Sequence, residues 1–212
     1  MNANEPAALP TGVDILDRKL GGGVPEGTVV ALSARPASQA ELFLYELAGA
    51  RETVYLSTVR TEASVAAALT DRVSDPETVD VRRLGDATPI EDAQAALADV
   101  DRDATVILDP VDVLESGDAA AYREFLADLK RRVEGTGAVA VLHCLGDDPT
   151  PAQRRTTAHI ADLVFEVETA ISGDSIVNRL AVPKFRNGQS IEDVIKLDLT
   201  GDVAVDTSRN IL

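Results

Sequence analysis

Residues 11–34 of the chain, TGVDILDRKLGGGVPEGTVVALSA, decide the fold. The first part has the apolar spacing of a short amphipathic helix, which ends at three consecutive glycines. A Pro-Glu-Gly turn then leads into an apolar run at residues 28–33, which predicts a buried strand. The segment therefore predicts a helix, a turn and a strand at the start of a folded domain.

Beyond this segment, short β-rich runs alternate with helical patterns. The helical stretches combine apolar residues at a spacing of three to four with good helix formers. This alternation predicts an α/β fold, a mainly parallel twisted sheet with helices on both faces. The predicted strands cover residues 28–33, 53–57, 79–83, 105–109 and 138–143, and the predicted helices cover residues 39–50, 62–72, 90–99 and 119–134.

The last third of the sequence changes character. Further strands are predicted at residues 163–168, 179–183, 194–199 and 203–205, separated by turn residues around Gly173, Gly188 and Gly201. These strands should form C-terminal β-hairpins that extend the sheet. Residues 11–212 are therefore interpreted as one domain, preceded by a flexible N-terminus at residues 1–10.

The opening segment resembles KaiC- and RadA-related proteins of the RecA superfamily, in which such a segment precedes the phosphate-binding loop. The matching positions are Gly12, Leu16, Asp17, Gly21, Gly22, Gly23, Pro25 and Gly27. Residues 159–164 and 179–187 resemble the C-terminal half of KaiC-type domains. There the resemblance implies that Lys184 and Arg186 project toward the nucleotide of a neighbouring subunit, which makes both candidate interface residues.

The resemblance places a Walker A loop at residues 33–40, and this sequence departs from it at every chemical position. Ser33 and Ser38 replace the two glycines, Gln39 replaces the phosphate-binding lysine, and Ala40 replaces the hydroxyl that holds Mg²⁺. Arg35 is the one cation in the loop. These five positions, together with Asp109, are interpreted as a vestigial cofactor site.

At two other positions that are catalytic in the family, this sequence lacks the expected residue in one case and has it in the other. Val59 and Arg60 stand where the resemblance implies the glutamate that polarises water, and neither side chain can act as a base. Asp109 ends the strand at residues 105–109 as a Walker B carboxylate does, although such an aspartate is also a common turn or capping residue. His143 is a candidate for the polar sensor residue of the fold. No catalytic residue is therefore assigned.

Composition narrows the function classes further. The 212 residues carry a net charge of −16, and lysine supplies only four of the 20 positive charges. A field of this sign repels phosphate backbones, so direct nucleic-acid binding is not expected. The balance resembles proteins of salt-loving archaea, and the alternative is an acidic protein of a mesophile. Neither a membrane span nor a metal-ligand spacing is evident, and we expect a cytoplasmic protein that binds no metal.

These observations leave three candidate functions. The first is a catalytically inactive pseudo-ATPase, without a cofactor, that regulates or scaffolds by pairing with itself or with an active RecA/KaiC-family relative in recombination, repair, signalling or transcription. The second is an ATPase with an atypical phosphate loop, in which Asp109 holds Mg²⁺ and Arg35 or Lys184 contacts phosphate. The third is a DNA-binding module, whose candidate contacts are the arginine pairs at residues 82–83, 131–132 and 154–155.

Overall fold

A computed structural model describes residues 7–146, 149–172, 174–186, 188, 191–198 and 204–205. Its strands and helices alternate through most of the chain, as the periodicity predicts. The strands are β1 (Ala8–Leu9), β2 (Val24–Pro25), β3 (Val29–Ala34), β4 (Thr53–Ser57), β5 (Val79–Arg83), β6 (Thr105–Asp109), β7 (Val139–Leu145), β8 (Leu163–Ser172), β9 (Ser175–Phe185), β10 (Ile195–Asp198) and β11 (Ala204–Val205). The helices are α1 (Asp14–Leu20), α2 (Ala40–Gly49), α3 (Glu62–Thr70), α4 (Pro89–Ala96), α5 (Asp112–Glu115), α6 (Ala119–Thr136) and α7 (Arg154–Ile160).

Nine of the strands form one sheet, in the order β11-β10-β9-β8-β3-β7-β6-β4-β5. The pairings between β8, β3, β7, β6, β4 and β5 are parallel, whereas β9, β10 and β11 are added antiparallel. The predicted α/β class and the C-terminal hairpins are confirmed. Because the carboxyl ends of parallel strands meet at one edge of a sheet, the loops after β3, β4, β6 and β7 converge there.

Both faces of the sheet are covered, and β3 shows how the sequence achieves this. Val30 and Leu32 belong to the apolar cluster that includes Phe43 of α2, whereas Val29 and Ala31 belong to the opposite cluster under α4 and α6. Alternate residues of a strand point to opposite faces. An uninterrupted apolar run such as that of β3 is therefore typical of a strand with helices on both sides.

In the segment at residues 11–34, glycines and one aspartate fix the path of the backbone at the start of the domain. Gly21 adopts the left-handed conformation (φ 84°) that ends α1. A Cβ on Gly23 would lie 2.2 Å from the carbonyl oxygen of Leu9, so only glycine allows the chain to pass there. Asp17 Oδ1 accepts hydrogen bonds from the backbone N–H and the hydroxyl of Thr11, at 2.8 and 2.7 Å.

The structure corrects the sequence interpretation in three places. The flexible segment predicted at residues 1–10 overlaps β1, which pairs with β2 and packs the half-buried Leu9 against the core, so residues 8 and 9 belong to the folded domain. Helices α5 and α7 had no sequence prediction, because α5 has only four residues and α7 (RRTTAHI) is too polar to show an apolar periodicity. Strands β8 and β9 exceed their predicted lengths, because they pair with each other over almost their full extent. Gly173, and the predicted turns at residues 187 and 200–202, lie outside the described residues.

Candidate functional site

A recess of about 160 Å³ opens at the sheet edge where β3, β4, β6 and β7 end. The turn before α2 and the segment after β4 form its sides. Its position is the one expected for a ligand in a parallel α/β sheet, outside the carboxyl ends of the strands. The lining residues are Arg35, Pro36, Ser38, Ala40, Glu41, Val59, Arg60, Asp109, Pro110, His143 and Leu145.

The loop interpreted as a vestigial phosphate loop does connect strand β3 to helix α2, but it forms a closed turn. The backbone N–H and the hydroxyl of Ser38 both donate to the carbonyl of Arg35, at 2.9 and 2.6 Å. Pro36 contributes no N–H donor to the loop. Ser33 lies within β3, and Gln39 stands at the N-cap of α2 without a side-chain capping bond. Two of the N–H groups that a phosphate loop would direct at its ligand, those of positions 36 and 38, are therefore missing or already bonded.

Asp109 lies at the end of β6 with its side chain 5% exposed. Its Oδ2 accepts hydrogen bonds from the hydroxyl of Tyr55 at 2.5 Å and from Nη2 of Arg60 at 2.6 Å. Its Oδ1 is 2.6 Å from Nδ1 of His143. An ionised carboxylate has about four acceptor positions, and three are already used by the protein. The carboxylate of Asp109 is thus bound by its own chain.

Arg60 is the central cation of the recess. Its Nη1 donates to the hydroxyl of Tyr45 at 2.5 Å and to Oε2 of Glu41 at 3.1 Å, while its Nη2 also contacts Tyr55 at 3.0 Å. The guanidinium therefore joins α2, β4 and β6 through hydrogen bonds to four side chains, including Asp109. Its neighbour Val59 is 62% exposed and makes no such contact. Of the two residues at the glutamate positions, Arg60 joins the hydrogen-bonded network, whereas Val59 only lines the recess.

The charges in this cluster stabilise one another. Burial of Asp109 opposes its ionised form, but the hydrogen bond and charge of His143, the hydroxyl of Tyr55 and the charge of Arg60 outweigh burial and lower the pKa of Asp109 to about 2. Burial likewise opposes the charge on Arg60, yet contacts with Tyr45, Tyr55 and Asp109 raise the pKa of Arg60 above its ordinary value. The carboxylate and guanidinium are both charged at neutral pH.

His143 lies near the end of β7, as the sensor interpretation predicts, and is 4% exposed. Because a carboxylate accepts hydrogen bonds, we place the ring proton of the contact with Asp109 on Nδ1. Nε2 is buried and has no hydrogen-bond partner among the described residues. The histidine therefore contributes an unused nitrogen beside the hydrogen-bonded groups of Tyr55, Arg60 and Asp109.

The two candidate interface residues contact their own chain. Lys184 Nζ donates to the carbonyls of Ala158 and His159, at 2.8 and 3.0 Å, and Arg186 Nη2 donates to His159 at 2.8 Å. Arg186 also lies 3.4 Å from the carboxylate of Asp162. Both cations cap the C-terminus of α7, where they stabilise the exposed carbonyls. The structure does not bring them to the recess.

A second buried network braces the same sheet edge. Glu115, which is fully buried, accepts hydrogen bonds from Nε of Arg154 at 3.0 and 2.8 Å and from the hydroxyl of Thr157. Arg154 Nη2 also contacts Asp112 at 2.6 Å, and Arg154 Nη1 donates to the carbonyl of Leu145 at 2.8 Å. The arginine thereby ties α7 to α5 and to the end of β7.

Sequence reasoning missed two features of the site. It excluded Arg60 as a base but predicted no partner for it. It considered Arg154 only as one of a pair of arginines that could contact DNA. The sequence holds one signal: Ser57 and Asp109 each end a predicted strand of a mainly parallel sheet, so the segments that follow them lie at the same edge, and the structure pairs the two residues in register. A cation three residues after Ser57 is a natural partner for a buried acid. Tyr45 and Glu41 had no comparable signal.

The lowered pKa of Asp109 predicts how acid affects stability. A carboxyl group with a folded pKa near 2 and an unfolded pKa near 3.8 stabilises the fold fully above about pH 4, and this contribution disappears as the pH falls toward 2. The contribution is about 2 kcal/mol. We expect the difference in unfolding free energy between wild type and Asp109→Asn to shrink by this amount between pH 5 and 2, as measured by urea denaturation. A difference that stays constant would contradict the ion pair.

Comparison with known proteins gives the fold a clear relative. The chain is similar to the crystal structure of the KaiC-like protein PH0186 from the hyperthermophilic archaeon Pyrococcus horikoshii, with a TM-score of 0.77 over 95% of this chain and 99% of that one. The sequence identity is 12%, so the likeness is one of fold, and it confirms the predicted KaiC/RecA-like domain. A model described as a family of unknown function, DUF7125, matches residues 8–212. No curated protein matches the chain in sequence.

Proposed function

The chain belongs to the DUF7125 family, and from that premise we propose that it is a catalytically inactive RecA/KaiC-like pseudo-ATPase that acts as a regulatory or scaffolding protein. Its partner is a second copy or an active relative of the same fold. The process it serves is recombination and repair, or signalling and transcription. In this view the protein keeps the surface through which domains of this fold associate, but it does not keep a site that hydrolyses ATP.

One observation carries the proposal: the Arg60 guanidinium lies 2.6 Å from the Asp109 carboxylate. In phosphoryl transfer a carboxylate at this position orders the Mg²⁺ shell, and a nearby acid or polar group orients the attacking water. Arg60 neutralises the first group and stands in place of the second. A metal ion would have to displace a guanidinium held by Tyr45 and Glu41 as well, so Mg²⁺ binding is disfavoured.

The rest of the site supports the same conclusion. Gln39 and Ala40 supply neither a phosphate-binding cation nor a metal-binding hydroxyl, and the loop before them closes on itself through Ser38. Arg35 remains as a single cation, which replaces only part of the several donors that hold a triphosphate. Lys184 is too engaged with α7 to serve as the phosphate contact of the rival ATPase hypothesis.

The basic residues give no support to direct DNA binding. At least one arginine of each pair is held by carboxylates or carbonyls of the same chain, so none of these pairs, all of which lie in the described part of the chain, presents two unpaired guanidinium groups. The contacts are Arg82 with Asp80 and Asp99, Arg83 with Asp86, Arg131 with Asp128, Arg132 with the carbonyls of Ala98 and Val100, and Arg154 with Asp112 and Glu115. A protein partner is the better match.

Nucleotide titration tests the loss of the site. We expect no calorimetric binding of ATP with Mg²⁺ at millimolar nucleotide, and no phosphate release above a buffer blank, because charge, metal and base positions are all changed. The control is Asp109→Asn, whose turnover measures contamination. Binding of ATP, or turnover that Asp109→Asn abolishes, would favour the atypical ATPase instead. Sedimentation velocity over a wide concentration range tests self-association.

The source that we propose is a salt-loving archaeon, with the protein in its cytoplasm. The support is the charge of −16 together with the scarcity of lysine. Dense surface carboxylates remain hydrated when molar salt screens their repulsion to about 3 Å. Among the described residues no helix is long and apolar enough to cross a membrane.

This proposal predicts a strong salt dependence of stability. The melting temperature should rise between low and molar KCl, because screening removes the repulsion among carboxylates that disfavours the compact chain. Differential scanning calorimetry gives the measurement. The control is the same series near the isoelectric point of about 4.4, where little net charge is left to screen and the rise should be smaller. A melting temperature that is flat or falls with salt at neutral pH would contradict the halophilic assignment.

A further inference from the structure

The recess contains one buried polar atom that the protein does not satisfy. Nε2 of His143 has no hydrogen-bond partner among the described residues, although the ring is 4% exposed and lines the recess. Leaving such a group unpaired costs about 1–3 kcal/mol. In the neutral ring, with its proton on Nδ1 directed to Asp109, Nε2 is an acceptor. A molecule that satisfies it must offer an O–H or N–H donor.

A second group in the same recess is also without a partner. The lining includes two arginines and two carboxylates, and Arg60 pairs with both Glu41 and Asp109. The side chain of Arg35 has no hydrogen bond or ion pair among the described residues. One guanidinium is therefore available at the recess, and its planar fork matches a single carboxylate.

The size and the walls of the recess restrict the ligand. A volume of about 160 Å³ holds the equivalent of about five liquid waters, which suits a molecule of few non-hydrogen atoms. Val59, Pro110 and Leu145 give apolar contacts for a hydrocarbon segment. A phosphate dianion suits the recess less well, because only one cation is unpaired and two carboxylates stand nearby.

We propose that this recess binds a small hydroxycarboxylate, whose hydroxyl donates to Nε2 of His143 and whose carboxylate pairs with Arg35. The hydroxyl satisfies the buried acceptor, and the carboxylate satisfies the free cation. The carbon skeleton between them contacts Val59, Pro110 and Leu145. The ligand needs neither Mg²⁺ nor the Walker A donors, so the site is distinct in chemistry from that of a nucleotide. It stands whether or not the protein associates with a partner.

The chain offers an internal control for the test, since its only other histidine, His159, lies exposed in α7. Imidazole nitrogen and proton NMR signals of the two rings are followed while L-lactate, D-lactate or propionate is added at constant ionic strength. We expect a saturable shift of the His143 signals alone. One lactate enantiomer should bind about tenfold more tightly than propionate, which has the same carbon skeleton without the hydroxyl.

Two variants assign the contacts. Arg35→Gln should weaken lactate and propionate equally, whereas His143→Phe should remove only the preference for lactate, with binding then followed by calorimetry. If His143→Phe does not fold, the comparison of lactate with propionate on wild type still decides the matter. Equal affinity for the two acids, no saturable shift of His143, or saturation by inorganic phosphate in place of lactate would overturn the proposal.

Discussion

Asp109→Ala should lower the free energy of unfolding by about 3–5 kcal/mol, a large fraction of the stability of a domain of this size. The substitution leaves the half-buried Arg60 guanidinium without its closest carboxylate, and it removes the acceptor of the Tyr55 hydroxyl and of His143 Nδ1. Losses of this size follow when one partner of a buried charge pair is removed. Chemical denaturation monitored by circular dichroism gives the measurement.

The matched control is Glu41→Ala, because Glu41 also pairs with Arg60 but its side chain is 50% exposed. An exposed ion pair contributes less than about 1 kcal/mol, so the control should remain close to wild type. Adding Arg60→Met to Asp109→Ala should recover part of the loss, since it removes the unpaired charge. If Asp109→Ala is as mild as Glu41→Ala, the aspartate is not a structural centre and the pseudo-ATPase proposal loses its main support.

Restoring the phosphate loop should restore nucleotide binding by at least about a hundredfold over wild type, because backbone donors and a phosphate cation return together. The graft combines Ser33→Gly, Pro36→Gly, Ser38→Gly, Gln39→Lys and Ala40→Thr. We expect affinity that does not respond to Mg²⁺, because Arg60 still neutralises Asp109. Hydrolysis should remain negligible in the graft, since Val59 and Arg60 supply no base.

Adding Arg60→Glu to the graft should make binding dependent on Mg²⁺, because Asp109 is then free to order the metal shell and a carboxylate stands near it. Calorimetric titration of ATP with and without Mg²⁺ distinguishes the two constructions, with folding checked by circular dichroism. The matched control is the graft that keeps Gln39, which should bind much more weakly. A folded graft that binds no better than wild type would show that residues 33–40 are not a decayed phosphate loop.

Strand positions were predictable from the sequence because both faces of the sheet are buried. An apolar run that is buried at every position, as in β4 and β6, is recognisable without any alternation, and the predicted boundaries of these two strands and of the partly exposed edge strand β5 agree with the structure to the residue. Short elements such as α5 are determined by tertiary contacts instead. It begins after Pro110, and its Glu115 is held by Arg154, which is 39 residues away in the chain.

The chemistry of the recess was predictable only in part. Residue types at motif positions indicate what is missing, so the loss of the lysine at position 39 and of the acid at positions 59 and 60 was evident. What replaces a lost function depends on side-chain directions, which a single sequence does not encode locally. The pairing of Arg60 with Asp109, and the capping of α7 by Lys184, arise from residues that are 49 and 26 positions apart.

Because Lys184 and Arg186 cap α7, the stability of the last turn of this helix should depend on whether a subunit has docked. A neighbouring subunit that recruits either cation must first take it from the carbonyls of Ala158 and His159, so subunit docking and fraying of the last turn of α7 become linked equilibria. The hydrogen bonds to these carbonyls are lost when the subunit docks, and their free energy therefore opposes docking as well as fraying. Amide protons in that turn would exchange faster as the concentration of a recruiting partner rises, and their exchange rates would trace the association isotherm without any label at the interface itself.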